Sequence, residues 1–113
     1  MITRADEHEL SLRPNMRGGE GTVELRALMP KLPGKLRLFS RIDLAPGCSI
    51  GYHVHEKETE LFYFIEGRGR ACDDGVWREI GPGDAMSTPD GHGHAVENTG
   101  DVPLIFVAAI VLD

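Results

Sequence analysis

The stretch from Gly47 to Gly67 reads GCSIGYHVHEKETELFYFIEG, and the rest of the chain can be interpreted from it. Because successive side chains of an extended strand point to opposite faces, His53 and His55 share a face and can bind one ion. Glu60 follows a polar EKET segment that is short enough to form a turn between two strands. Such a turn would bring a carboxylate back toward the two imidazoles. The pattern therefore predicts two consecutive strands, joined by a turn, that carry three ligands of one metal site.

A second cluster, from Gly83 to Asn98, reads GDAMSTPDGHGHAVEN and offers a fourth ligand. One Pro and three Gly residues mark turns around His94, and the short apolar AV run after it is typical of a strand. A turn-bounded strand that carries a histidine is what the first cluster needs to complete a four-ligand site.

The composition favours an all-β fold with little helix. The chain has 113 residues with 14 Gly and 7 Pro, which suits one domain of short strands joined by tight turns. We expect roughly nine to eleven strands in a closed barrel or sandwich. Residues 1–20 are expected to form an irregular arm that could hold one short strand, and residues 21–113 the single domain. The clearest strand patterns cover residues 22–28, 35–44, 61–66, 68–72, 76–80, 84–88 and 104–112.

The charge of the chain argues against a nucleic-acid or membrane partner. The net charge is −6, and the longest apolar run, Leu104–Leu112, is too short to span a bilayer. Residues 1–41 hold 8 Lys or Arg against 5 Asp or Glu, whereas residues 42–113 hold 4 against 13. This asymmetry could steer an anionic ligand, or it could let a basic arm pack on an acidic body. The charged start and the two cysteines, Cys48 and Cys72, indicate a cytoplasmic protein with reduced thiols.

The segment from Lys35 to Leu44 alternates between an apolar and a charged face. We expect the leucine face to meet the core, which would leave Arg37 and Arg41 in solvent. The alternative is that these two arginines enter a polar barrel interior and hold the carboxylate or phosphate of a substrate.

Two strands are apolar on both faces. In the LFYFIE strand, Phe62 and Phe64 share a face with Glu60, and the opposite face, which carries Tyr63, is mainly apolar as well. The Leu104–Leu112 strand is apolar throughout. In a chain with little helix, a second sheet, the arm or a second subunit must cover such faces. We therefore expect a homodimer.

The two clusters together resemble the signature pair of the cupin superfamily. Every residue that the two motifs specify occurs here at the expected spacing. The motifs are separated by fifteen residues, which is similar to the short spacer of small bacterial single-domain cupins. These proteins often carry the label oxalate-decarboxylase-like. The matching positions of the first motif are Gly47, His53, His55, Glu60 and Gly67, and those of the second are Gly83, Pro89, Gly91, His94 and Asn98.

This resemblance implies a small antiparallel β-barrel, the double-stranded β-helix or jelly roll, with an ion inside its mouth. It also implies that the ligands are His53, His55, Glu60 and His94. Three imidazoles and one carboxylate suit one divalent transition metal, with Mn or Fe expected in the cell and Zn, Ni or Cu also possible. An octahedral ion at such a site would leave two positions for water, substrate or dioxygen.

Other residues have weaker assignments. Tyr52 and Tyr63 are interpreted as packing residues, because they lie on the face opposite the ligands. Cys48 could be a soft fifth ligand, and His92 is expected at the rim of the site. The remaining candidates are apolar residues that would form the walls of the pocket, namely Phe62, Phe64, Met86 and Val96.

Three kinds of function fit these features. The first is a metal-dependent enzyme that acts on a small carboxylate or carbonyl compound by decarboxylation, isomerisation or O2 insertion. The sequence identifies no general acid or base beyond the ligands, and Glu97 is a candidate only because it is close to His94 in the chain. Oxalate decarboxylation itself is not expected, because the related two-domain enzymes use a lid glutamate in a segment that has no counterpart after Asn98. The second is a binding or sensor domain without turnover. The third is a sugar isomerase or epimerase.

Overall fold

Ten strands make up the fold, as the computed structural model of residues 1–113 shows. Helix is limited to two 3₁₀ turns at Ala5–Glu7 and Met16–Gly18, so the predicted all-β class with little helix is confirmed. The strands are β1 (Glu9–Pro14), β2 (Thr22–Ala27), β3 (Leu36–Leu44), β4 (Ser49–Val54), β5 (Glu58–Glu66), β6 (Gly69–Asp73), β7 (Val76–Ile80), β8 (Ala85–Thr88), β9 (Gly93–Glu97) and β10 (Leu104–Leu112).

The strands form two sheets in which every pair is antiparallel. The larger sheet has the order β1-β2-β3-β10-β5-β8, and the smaller has the order β4-β9-β6-β7. Consecutive strands β4 and β5 therefore lie in different sheets, and their connection spans the mouth of the barrel. Because β9 pairs with β4, the two histidine-bearing strands are direct neighbours.

The connection between β4 and β5 is shorter than predicted. The sequence suggested that the whole EKET segment would form a turn, but β5 already begins at Glu58. The reversal occupies His55, Glu56 and Lys57, and Lys57 takes a left-handed backbone with φ 61°. As a result Glu58 belongs to a strand and lies close to His55.

The core lies between the inner faces of the two sheets. On β3, Ile42 and Leu44 are buried, whereas Arg41 takes the opposite face, as the alternation of the sequence predicted. The core contains twelve buried apolar residues: Val23, Leu25, Ile42, Leu44, Ile50, Phe62, Phe64, Ala71, Val96, Leu104, Phe106 and Ala108. Burial of each large side chain contributes about 1.5–3 kcal/mol, so the barrel has its own source of stability apart from any ion.

The side chain of Asn98, the last residue of the second motif, links the end of β3 to the loop before β10. Its side-chain nitrogen donates to the carbonyls of Leu44 at 2.9 Å and Val102 at 2.8 Å, and its oxygen accepts a bond from the Gly100 amide at 2.9 Å. All three bonds join the buried Asn98 side chain to backbone groups. We conclude that this motif residue is structural and has no part in a binding site.

The first twenty residues join the larger sheet and also reach the smaller one. β1 pairs with β2 over its whole length, from Glu9 to Pro14. The following turn then crosses β4, where the Ser49 amide donates to the Glu20 carbonyl at 2.9 Å. Two glycines permit this close approach, since a Cβ on Gly19 or Gly51 would overlap the backbone of the other segment. The turn is thereby fixed beside the strand that carries His53.

None of the helical segments is long and apolar enough to cross a membrane.

Candidate metal centre

Four side chains converge between the sheets, as their spacing in the sequence predicted. His53 lies on β4, His55 directly after it, Glu60 on β5 and His94 on β9. The Nε2 atom of His94 lies 3.0 Å from Nε2 of His55 and 3.1 Å from Nε2 of His53. One Glu60 oxygen is 3.0 Å from both His55 and His94. All four ligand atoms lie within 4.8 Å of one another, which is the arrangement that a single ion requires.

The outward nitrogen of each imidazole has its own hydrogen-bond partner. His53 Nδ1 lies 2.8 Å from the Gly51 carbonyl, His55 Nδ1 lies 2.6 Å from a Glu58 carboxylate oxygen, and His94 Nδ1 lies 2.8 Å from the Thr88 hydroxyl. A carbonyl and a carboxylate can only accept, so His53 and His55 must carry their proton on Nδ1. Their Nε2 lone pairs then point into the cluster, which is the tautomer that a metal needs.

The cluster is unfavourable without a cation. Two Nε2 acceptors and a carboxylate oxygen surround His94 Nε2, and one proton on that nitrogen could satisfy only one of them. His55 is 3% exposed and Glu60 is 7% exposed, so water has little access to the remaining lone pairs. Burial is also the main cause that lowers the pKa of His53 to about 4, with the other two histidines and Arg17 adding to it. The residues therefore fit a divalent ion held by neutral imidazoles and one carboxylate.

A family model described as "Cupin domain" matches residues 40–110, which include all four residues of this cluster. The chain belongs to the cupin family.

Relatives of this cupin carry names related to oxalate. A Thermotoga maritima protein named "Oxalate-binding protein" is 42% identical over 114 residues, covering 99% of this chain and 94% of the relative. A Thermotoga maritima crystal structure described as a "predicted oxalate decarboxylase" superposes with a TM-score of 0.95 at 42% identity, covering 100% of both chains. "Oxalate decarboxylase OxdC" of Bacillus subtilis is 35% identical over 71 residues, which are 58% of this chain and 18% of that protein.

A cavity of about 580 Å³ opens onto the cluster. His53, His55 and Glu60 line it, whereas His94 is only 1% exposed and lies behind them. The other lining residues come from the turn after β1 and from the inner faces of the barrel: Arg13, Pro14, Asn15, Met16, Arg17, Leu25, Arg37, Leu38, Ile42, Ile50, Phe62 and Ile110.

The expected walls of the pocket need correction. Phe62 lines the cavity and stacks on the ring of His94, with centroids 4.9 Å apart and an angle of 15° between the planes. Phe64 and Val96 share the inward direction but lie deeper, where they are fully buried in the core. Met86 packs against that core from β8 and does not line the cavity either. Alternation identified the inner face, but it did not give the depth along the barrel.

The three residues proposed as substrate contacts have different positions. Arg37 lines the cavity, and its guanidinium binds Glu58 with two bonds of 2.7 and 2.8 Å. Arg41 pairs with Asp43 on the outer face of the sheet, so it does not enter the barrel interior. His92 precedes β9 and binds Asp74 at 2.9 Å on an exposed surface outside the cavity.

The weaker candidates lie away from the cluster. Cys48 packs against the core beside Gly21, which makes it unsuitable as a fifth ligand. Glu97 pairs with Arg70 at 2.9 Å on the smaller sheet and does not line the cavity. Tyr52 lies against Gly93, and Tyr63 is exposed on the outside of β5.

Glu58 is a site residue that sequence reasoning missed. It bridges the His55 ring and the Arg37 guanidinium, and its side chain is only 12% exposed. The bonds from Arg37 lower the pKa of Glu58 to about 2, with a smaller contribution from His55, so its carboxylate stays charged. The interval of three residues between His55 and Glu58 could have indicated the pair, had the turn been placed correctly. Arg13 and Arg17 were also missed, since the arm that carries them shows no periodicity.

Replacement of a ligand should abolish metal loading without unfolding the chain. We expect His55→Ala to retain little transition metal, because three ligands around a larger gap bind far more weakly than four. The core does not depend on His55, so circular dichroism and the cooperativity of unfolding should persist. Elemental analysis of untagged protein measures the metal content. His92→Ala is the matched control and should keep its metal; equal metal content in both variants would contradict the assignment of the site.

Replacement of Glu58 should weaken metal binding without removing a ligand. Glu58→Gln removes the charged acceptor that orients the His55 ring and raises its basicity, and loss of such a partner typically costs about 10- to 100-fold in metal affinity. Competition with a metallochromic chelator would measure this loss. Glu56→Gln, an exposed change two residues away, should leave the affinity unchanged. A Glu58→Gln affinity equal to that of Glu56→Gln would show that the contact with His55 is incidental.

Proposed function

We propose that this cupin holds one divalent transition metal at the cluster of three histidines and one glutamate and uses this centre to bind small carboxylates of the oxalate class. The observation that carries the proposal is the inward orientation of the histidine Nε2 lone pairs around a buried carboxylate oxygen, beside a cavity that contains arginines. The name of the Thermotoga relative supports the choice of oxalate as the first ligand to test.

The donor set suits a divalent transition metal. Imidazole and carboxylate ligands accept Mn(II), Fe(II), Zn(II), Ni(II) or Cu(II), and we expect availability in the cell to make Mn(II) or Fe(II) the occupant. When bound, such an ion would supply Lewis acidity toward a carboxylate or carbonyl oxygen. The chain's own contribution is to fix the tautomers of His53 and His55 through Gly51 and Glu58, to hold the His94 ring against Thr88, and to bury His55 and His94.

The cavity favours binding over turnover. Apart from the ligands His53, His55 and Glu60, the lining contains no carboxylic acid, cysteine, tyrosine or lysine that could transfer a proton. Glu58 lies behind His55, and with a pKa of about 2 it is a poor proton donor near neutral pH. An enzymatic role would have to use the ligands themselves or the substrate for proton transfer. The third candidate, a sugar isomerase or epimerase, keeps one of the two arginines expected to hold a sugar phosphate, because Arg37 lines the cavity whereas Arg41 lies outside the barrel.

Oxalate binding should require the metal centre. Titration calorimetry of the Mn(II)-loaded protein should detect oxalate, whereas the metal-free protein and His55→Ala should give no specific heat. CO2 release and O2 consumption are measured in the same samples. Binding without either gas change supports the proposal, steady CO2 release would replace it with an enzymatic function, and equal binding to His55→Ala would refute a metal-dependent site.

We also propose that the chain is a homodimer that associates through the outer face of the larger sheet. Leu61, Tyr63 and Ile65 on β5 are 43–54% exposed, and Tyr63 pairs across to Val107 on β10. These neighbours form a continuous apolar surface next to the ion pairs of Arg41 and Asp43. A self-complementary contact around a two-fold axis would cover this surface.

The free thiols of Cys48 and Cys72 support the proposal that the protein is located in the cytoplasm.

A charge on this face should separate the subunits. We expect wild-type protein to elute with twice the chain mass in size-exclusion chromatography with light scattering, and Tyr63→Asp to shift toward the monomer because a buried unpaired charge is costly. Val76→Asp places the same charge on an exposed residue of the smaller sheet and should remain dimeric. A monomeric wild type, or an unchanged Tyr63→Asp dimer, would exclude this face as the interface.

A further inference from the structure

The end of β1 and the turn after it form a cationic wall of the metal cavity. Arg13 on β1 lines the cavity together with Asn15, Met16 and Arg17 in the turn, although all four precede the family-matched region of residues 40–110. Asn15 and Arg17 both adopt left-handed backbones, with φ 49° and 55°, which non-glycine residues rarely take without a structural reason. The turn is therefore a specific feature that brings two side chains to the site.

Arg13 and Arg17 lack carboxylate partners. Four of the nine arginines form ion pairs with acidic side chains, namely Arg26, Arg37, Arg41 and Arg70. Of the five arginines without such a pair, only Arg13 and Arg17 line the cavity. Both remain available for an anion.

The cavity is too large for oxalate alone. Its volume of about 580 Å³ falls within the range of about 300–1,000 Å³ found for pockets that bind drug-sized ligands. A water molecule occupies about 30 Å³ in the liquid, so a two-carbon dianion would leave most of the space to solvent. Besides the ligands and arginines, the lining contains apolar side chains from both sheets, among them Leu38, Ile42, Ile50 and Phe62. An apolar segment of a ligand would fit against these residues.

We propose that the site selects an organic dianion longer than oxalate, with one acid group at the metal centre, an apolar middle along the barrel wall and a second carboxylate bound by Arg17 with help from Arg13. Arginine suits this role, because its planar guanidinium binds a carboxylate with two parallel hydrogen bonds. This inference rests on the proposed function for the first acid group. It assigns the choice among carboxylates to the arm of the chain.

The test compares ligand length and charge on the Mn(II)-loaded protein. Calorimetry compares oxalate, succinate and adipate, and it compares each dianion with the monocarboxylate of equal length. The tightest binding should be that of a dianion longer than oxalate. Hexanoate should bind about tenfold or more weakly than adipate, which is the expected effect of one charge-assisted contact. Oxalate as the tightest ligand, or equal affinities for adipate and hexanoate, would overturn the inference.

A pair of variants assigns the contact. Arg17→Gln keeps a polar side chain but removes the charge, and it should lose the preference for adipate over hexanoate while its metal content stays normal. Arg78→Gln removes the same charge from an exposed position on β7, outside the cavity, and should keep the preference. An unchanged preference in Arg17→Gln would reject the role of Arg17.

Metal analysis of the same preparations separates the two proposals. Normal metal content with oxalate binding, but no preference for longer dianions, rejects only the present inference. Dianion binding that depends on Arg17 but is the same in metal-free protein would refute the metal-dependent function and the position of the first acid group, while leaving the arginine contact intact.

Discussion

The structure depends on one constraint, which is that three imidazole nitrogens and one carboxylate oxygen lie within 4.8 Å of one another, with the nearest pairs at about 3 Å. His53, His55 and Glu60 each offer a lone pair, because the outer nitrogens of both histidines already donate to acceptors, and one proton on His94 could satisfy only one of the three. A buried acceptor without a partner costs about 1–3 kcal/mol, so the cluster opposes folding of the metal-free chain. The apolar core between the sheets offsets this cost. The barrel is thus the frame that holds donors in an arrangement that only a cation makes favourable.

Two sheets are needed to build this arrangement. Antiparallel pairing of β4 with β9 places His53 directly across from His94, whereas Glu60 comes from β5 of the other sheet. The short reversal at Lys57 joins the two, and it sets Glu58 beside His55 at the same time. One turn therefore supplies both a ligand to the cluster and the residue that orients another ligand. Arg37 extends the same chain of contacts from Glu58 to the edge of the cavity.

Residue spacing was enough to predict the cluster but not its surroundings. The interval between His53 and His55 and the alternation of β3 and β5 follow from strand geometry, so the inner faces could be read directly. The depth of Phe64 relative to Phe62 depends on how the barrel closes, which no local pattern records. Arg37 and Arg41 share a face by alternation. A register shift between Ile110 and Val111 lies opposite the start of β3, however, and only Arg37 reaches the cavity. Left-handed Asn15 and Arg17 are equally invisible to periodicity.

The site residues that the sequence predicted differ in physical role from those that it missed. Three of the four metal ligands lie on strands, and His55 directly follows one. Hydrogen bonding between neighbouring strands sets the geometry of these strands, so the spacing of the ligands is regular. The arm reaches the same cavity through an irregular turn, and its position depends on the absence of side chains at Gly19 and Gly51. Arg13 and Arg17 are exposed side chains, so they can be replaced without a change in the strands that hold the histidines. Under the proposed assignment, ligand choice and metal binding depend on separate segments of one cavity, and a single barrel could keep its metal chemistry while its preferred carboxylate changes.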